Sequence, residues 1–206
     1  PARKISRVWL RVKTGSSFQL PLALHSERHF GDEATKDMAI QGLLFGTFFI
    51  MILFNGLVWF RTRDSGYLVL VGFLVTFGGL QAGASGLMFQ FLFPDSPWMV
   101  NGGLTFSSLC AIGFGALYAQ MYLPLEAGGR LVHTAILWFT RLGFGVAFLS
   151  ILLPYKVAIL LAIGIGAVGI FMLVWAGVHF VRRGFEPARL YLMGWGTFLL
   201  TVLVFL

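Results

Sequence analysis

MAIQGLLFGTFFIMILFNGLVWF, residues 38–60, runs for 23 positions without a charged side chain. As a helix it rises about 34 Å, enough to cross the roughly 30 Å hydrocarbon core of a bilayer. The basic turn RTRDS follows at 61–65, and the pattern repeats to Leu206 as long apolar runs parted by short polar turns. Backbone groups in lipid must pair within their own segment, so this portion reads as all-α. Composition agrees. The chain is 58% hydrophobic and 11% charged, against about 45–50% and about 25% in a soluble domain.

The predicted spans are about 38–60, 66–93, 98–123, 134–153, 157–181 and 187–206, with Ser65 as the N-cap of the second. At about 42 Å the second is too long for one crossing, so its end, GLMFQFLF, is expected to leave the membrane or lie at its surface. The corner FPDSPW at 93–98 then has a reason for its polarity. Pro94 stops one helix, Ser96 is placed to cap the next, Pro97 suits the first helical position, and Trp98 suits the headgroup layer.

Residues 1–24 follow a different period. Val8, Leu10 and Val12 alternate with Trp9, Arg11 and Lys13, TGSS reads as a turn, and Phe18, Leu20, Leu22 and Leu24 alternate again. This predicts a β hairpin. A lone hairpin is marginal in water, so residues 1–30 are expected to be the C-terminal end of a larger β domain, 31–37 a linker, and 38–206 the membrane domain. Pro1 follows no leader and Leu206 no polar stop, so the chain is expected to be a piece of a longer protein, cut before a seventh span.

Charge sets the orientation. Arg61, Arg63, Arg130, Arg182, Arg183 and Arg189 lie in the turns after spans one, three and five, and Arg141 leans the same way; the opposite turns hold Lys36 and Lys156, with Arg28 further off. Positive residues mark the cytosol, which places the hairpin and the corner outside. The net charge of +7 is therefore a topology signal, and nucleic acid is not an expected partner. The lipid bilayer is.

Between Met38 and Leu206 the acids are Asp64, Asp95, Glu126 and Glu186, all at helix ends or in turns. A proton relay or cation site needs ionisable groups at midplane, and a retinal-type Schiff base needs a lysine within a span. Lys156 sits at a helix end. Cys110 is the sole cysteine, His133 and His179 read as packing near the cytosolic surface, and His25 and His29 have i, i+4 spacing that suits a metal only if the linker is helical. No catalytic residue, cofactor or metal is expected. Neutral polar residues within the spans, Asn55 and Gln120 among them, are expected to hydrogen-bond neighbouring helices. Gln81, Gln90 and Asn101 gather toward the outer half beside Asp95 and Trp98, and these five are the candidate ligand pocket. Gly42/Gly46, Gly79/Gly83, Ala111/Gly115 and Ala162/Gly166 are small residues four apart, read first as packing within the bundle and second as a homodimer surface.

RDSGYL at 63–68, FPDSPW at 93–98 and PARLYL at 187–192, after VWLRVKTGSSFQLPLAL at 8–24, together resemble the bacterial seven-transmembrane receptors with diverse intracellular signalling modules. The resemblance implies a periplasmic carbohydrate-binding-like β sandwich, of which the hairpin is the end, and a periplasmic ligand to match. It also implies a seven-helix bundle in the inner membrane and a cytoplasmic output module in cis, a diguanylate cyclase or histidine kinase. It supplies no ligand-contact motif for numbered positions here. The expected function is a receptor that passes a periplasmic or membrane signal through the bundle; the alternatives are a small-molecule transporter or channel, and a passive anchor for a signalling enzyme.

Overall fold

The computed structural model describes residues 27–124 and 130–205, with side chains described from 31 to 196 apart from residue 34. The predicted hairpin lies outside the described residues. Within them the chain forms six α-helices and one π turn: α1 (Glu27–Thr62), α2 (Ser65–Ala84), the π turn Met88–Leu92, α3 (Pro97–Tyr122), α4 (Arg130–Ser150), α5 (Tyr155–Arg182) and α6 (Pro187–Phe205). Helices α1 to α5 are long and apolar enough to cross a membrane. The sixth predicted span falls on α6, which is not among those five.

Helix α1 takes in the stretch predicted as a linker, 31–37. Nothing there breaks a helix except one glycine, and Thr35 returns its hydroxyl to the Gly31 carbonyl at 2.7 Å. His25 lies outside the described residues, and with it the His25/His29 pair.

Two predicted helix starts need correction. Asp64, not Ser65, is the N-cap of α2: its Oδ1 accepts from the Gly66 amide at 2.9 Å. Ser96 makes no side-chain cap for α3 and contributes its carbonyl instead, accepting from Met99 and Val100. Pro97 does occupy the first turn, where its missing N–H costs nothing.

The long second run is not one helix. Helix α2 stops at Ala84 after 20 residues, about 30 Å and so close to the hydrocarbon thickness. Gly86 then takes φ +78, a left-handed conformation open to glycine at no steric cost. The chain re-forms as the π turn, closed by the Phe93 amide on the Met88 carbonyl at 2.9 Å. Length and Gly86 together set the break that apolar content alone does not reveal.

Helix α3 is the hub. Its buried positions include Thr105, Leu109, Gly113, Ala116 and Ala119, facing several helices in turn. Against α2, a Cβ on Gly72 would lie 2.6 Å from Phe114, one on Gly79 2.8 Å from Ser107, and one on Gly83 2.9 Å from Leu104, so the pair is antiparallel and in close contact throughout. Against α4 the backbones themselves approach: a Cβ on Gly143 would lie 3.2 Å from the Gly113 Cα. Phe114 meets Phe144 edge-on at 5.0 Å, and Gln120 donates to the Thr140 hydroxyl and to the Ile136 carbonyl at 3.4 Å. Asn55, by contrast, spends its amide on its own helix, donating to the Met51 carbonyl at 2.8 Å.

Of the four small-residue pairs, Gly79/Gly83, Ala111/Gly115 and Ala162/Gly166 pack within the bundle, whereas Gly42 and Gly46 have open space where a Cβ would stand. The largest buried cluster joins Ala116 and Ala119 of α3 and Leu123 just after it with Ile136, Phe180, Ala188 and Tyr191 of α4 to α6. It lies at the end where α3 finishes and α6 begins, the end that carries the arginine turns. Arg141 is exposed and leans over the Trp138 ring at 5.6 Å, toward the start of α4 and so toward that same end.

Two measurements test this account. Asp64→Ala leaves the first amides of α2 uncapped and is expected to cost about 1 kcal/mol in a detergent unfolding titration. Gly143→Ala must push α3 and α4 apart and is expected to cost about 1–3 kcal/mol, while Gly145→Ala, where a Cβ meets nothing within 4 Å, should be neutral or mildly stabilising; equal effects at the two glycines would refute the close approach.

Candidate functional site

The five residues that the sequence groups near the corner do not converge on one point. Trp98 and Asn101, one turn apart at the start of α3, line a notch of about 50 Å³ with Thr105, Ser150 and Tyr155. The notch is poor in free polar groups, because Thr105 donates to the Asn101 and Gly102 carbonyls and Ser150 to the Ala147 carbonyl. Its volume suits a water or two. Gln81 is half-buried on α2, Gln90 is exposed on the π turn, and Asp95 is exposed in the turn before Ser96. None of these three lines the notch.

The larger cavity is at the other end. A cleft of about 520 Å³ opens between α2, α3 and α6, with Met51 of α1 at its rim. Four rings from two helices form one side. Tyr118 stacks on Tyr122 at 5.6 Å, Tyr122 on Tyr191 at 6.2 Å, and Tyr191 tilts against Trp195 at 6.3 Å. Helical geometry explains the tier, since Tyr118/Tyr122 and Tyr191/Trp195 are each i, i+4 pairs on one face. Phe73 and Leu74 of α2 face them. No side chain that lines the cleft is charged.

Tyr191 is 5% exposed, and its hydroxyl is enclosed beside the Trp195 indole, its hydrogen-bonding neighbour. The residue belongs to the main buried cluster, and its ring lies against Gly177, where a Cβ would be 3.1 Å from it and 2.6 Å from Leu192. A second, smaller cavity of about 140 Å³ continues along α3 past Phe73, Ser108 and Gly169, and Trp195 lines both.

Residues 37–206 match the family model described as 7TM diverse intracellular signalling. The chain belongs to that family. No curated protein and no solved structure matches it. Membership makes this a multi-pass membrane protein of a signalling receptor family, and the segments that carry the resemblance occupy defined places in the fold. RDSGYL is the capped α1–α2 turn, with Arg63 at φ 57 lying over the Trp59 and Phe60 rings at 5.5 and 5.1 Å. FPDSPW is the corner, and PARLYL is the first turn and a half of α6, which brings Tyr191 to the cleft.

No carboxylate, amide or basic side chain lines this cleft, whose chemistry is aromatic. The signal that finds it is the pair of i, i+4 aromatic sets near the same end of α3 and α6.

Proposed function

We propose that this chain is the membrane module of a receptor in the bacterial inner membrane, with its N-terminal portion in the periplasm and the arginine turns in the cytosol. A signal from the periplasm or the membrane favours one arrangement of the helices, and the change passes to a C-terminal cytoplasmic output module of the diguanylate cyclase or histidine kinase type. A ligand drives such a change only by binding one arrangement better than the other.

The observation that carries this reading is how α6 is seated. Its first two turns are fixed into the buried cluster through Ala188 and Tyr191, and against α5 it rests on Gly177, where no side chain intervenes. Leu192 and Tyr191 cover Gly177 directly, so a shift of α6 is felt by α5. Family membership supports signalling, and the clustering of Arg61, Arg63, Arg130, Arg182, Arg183 and Arg189 at one end supports the orientation.

Two experiments test it. In a Cys110→Ala background, an impermeant thiol reagent applied to whole spheroplasts is expected to label Asp95→Cys and to spare Arg61→Cys; the reverse pattern would invert the orientation. Gly177→Leu, which drives a side chain into Leu192 and Tyr191, is expected to change basal output of the full-length protein about fivefold or more, the scale of an ordinary coupling free energy. Output that is indifferent both to this substitution and to replacement of the bundle by unrelated spans would leave only an anchor.

A further inference from the structure

We propose that the lipid-facing stripe of α4 that carries Thr134, Trp138 and Arg141 holds the phosphate of an anionic phospholipid, in the leaflet at the arginine end of the bundle. The inference goes beyond the receptor reading and does not rest on it.

Arg141 is the twelfth of the 21 residues of α4, about 16 Å along the helix from Arg130. It is exposed, as are Trp138 and Leu142 beside it, so it looks outward into lipid. An arginine within a span almost always faces the bundle interior or a wet cavity instead. Among the described residues Arg141 has no ion pair and no hydrogen bond, and its partner is the Trp138 ring at 5.6 Å. A ring face attracts the cation but leaves most of the five N–H donors of the fork unused. The hydrocarbon region has no water to take them up.

A second observation is independent of charge. Seven threonines have described side chains, and six of them, Thr35, Thr47, Thr62, Thr76, Thr105 and Thr140, return the hydroxyl to the carbonyl four residues back. Thr134 does not, and it is exposed.

Positions 130, 134, 138 and 141 fall on one stripe of the helix. The Arg141 side chain is drawn back over Trp138, toward the start of α4 and the nearer membrane surface, and Thr134 stands one further turn on. About one turn, roughly 5 Å, separates guanidinium from hydroxyl. A phosphate bridges that gap, one oxygen accepting from the arginine fork and another from the threonine O–H. Arg130, exposed at the start of the stripe, selects the rest of the headgroup: it repels the ammonium of a zwitterionic lipid and favours an anionic one. In the other direction the stripe passes Gly145, where a Cβ meets nothing within 4 Å, leaving a shallow path for an acyl chain. Helix α4 packs on α3 and α5, and the cleft between α2, α3 and α6 is lined by no α4 residue, so whatever fills that cleft leaves this stripe to lipid.

The test measures lipid adducts of the full-length protein by native mass spectrometry, in detergent carrying dioleoylphosphatidylglycerol, with dioleoylphosphatidylcholine and inorganic phosphate as competitors. One phosphatidylglycerol is expected to stay bound and to be displaced by neither. Arg141→Gln is expected to reduce the adduct about tenfold or more, and Thr134→Val about fivefold, the scales of a charged and a neutral hydrogen bond. Arg61→Gln, at the basic end but off the stripe, should leave it unchanged. Melting temperatures establish folding, and Thr134→Val, isosteric and exposed, carries the test if Arg141→Gln does not fold. Equal losses at Arg61 and Arg141 would mean diffuse attraction to the basic end and overturn the proposal. So would displacement by phosphatidylcholine or by inorganic phosphate, or a lipid-free dimer that Arg141→Gln dissociates, which would put a second copy on this face. None of these outcomes touches the receptor reading, which stands or falls on the Gly177→Leu result.

Discussion

In a bilayer, apolar side chains gain little by leaving lipid for protein, so helices hold together through close packing and a few polar bonds. Helix α3 concentrates both. It meets α2 at three glycines, meets α4 at a backbone-to-backbone approach through Gly113 and Gly143, and ties itself to α4 through Gln120. Helices α4 and α5 pack directly against it, and both buried clusters contain α3 residues. The α3 sequence follows from the role. Half of its most apolar window is buried, and the small residues along it leave room for neighbours on more than one side.

The helical part of the fold is legible in the sequence because charge-free runs of the right length allow one solution in lipid. Boundaries given by proline are legible too, as at Pro97 and Pro187. Boundaries are ambiguous where two local options compete. Asp64 and Ser65 are both capping residues, and the carboxylate one position earlier took the Gly66 amide. The run 66–93 is apolar to its end, but the left-handed bend at Gly86 divides it. Helix partners are a harder matter. Spacing identifies glycines four apart on a single helix, whereas Gly113/Gly143 and Gly177/Leu192 are contacts between different helices whose pairing depends on how the bundle closes.

The polar cluster at the corner illustrates a limit of the same kind. Gln81, Gln90, Asp95, Trp98 and Asn101 are close in sequence and at one end of the bundle, yet only Trp98 and Asn101 line the notch with Ser150 and Tyr155, while the π turn packs against α3 through Met88 at Gly103. Nearness along a helical hairpin does not fix the face on which a side chain emerges. The aromatic cleft fails to register for the opposite reason. Tyr118 and Tyr191 are 73 positions apart, and each alone is an unremarkable interfacial tyrosine.

Tyr191 is where packing and cavity meet. Its ring is part of the cluster that seats α6, its edge borders the cleft, and its neighbour Leu192 lies over Gly177 of α5. Close-packed interiors do not deform continuously, so a displacement of Tyr191 or Leu192 in α6 is felt at Gly177 of α5, whose surface the two side chains cover.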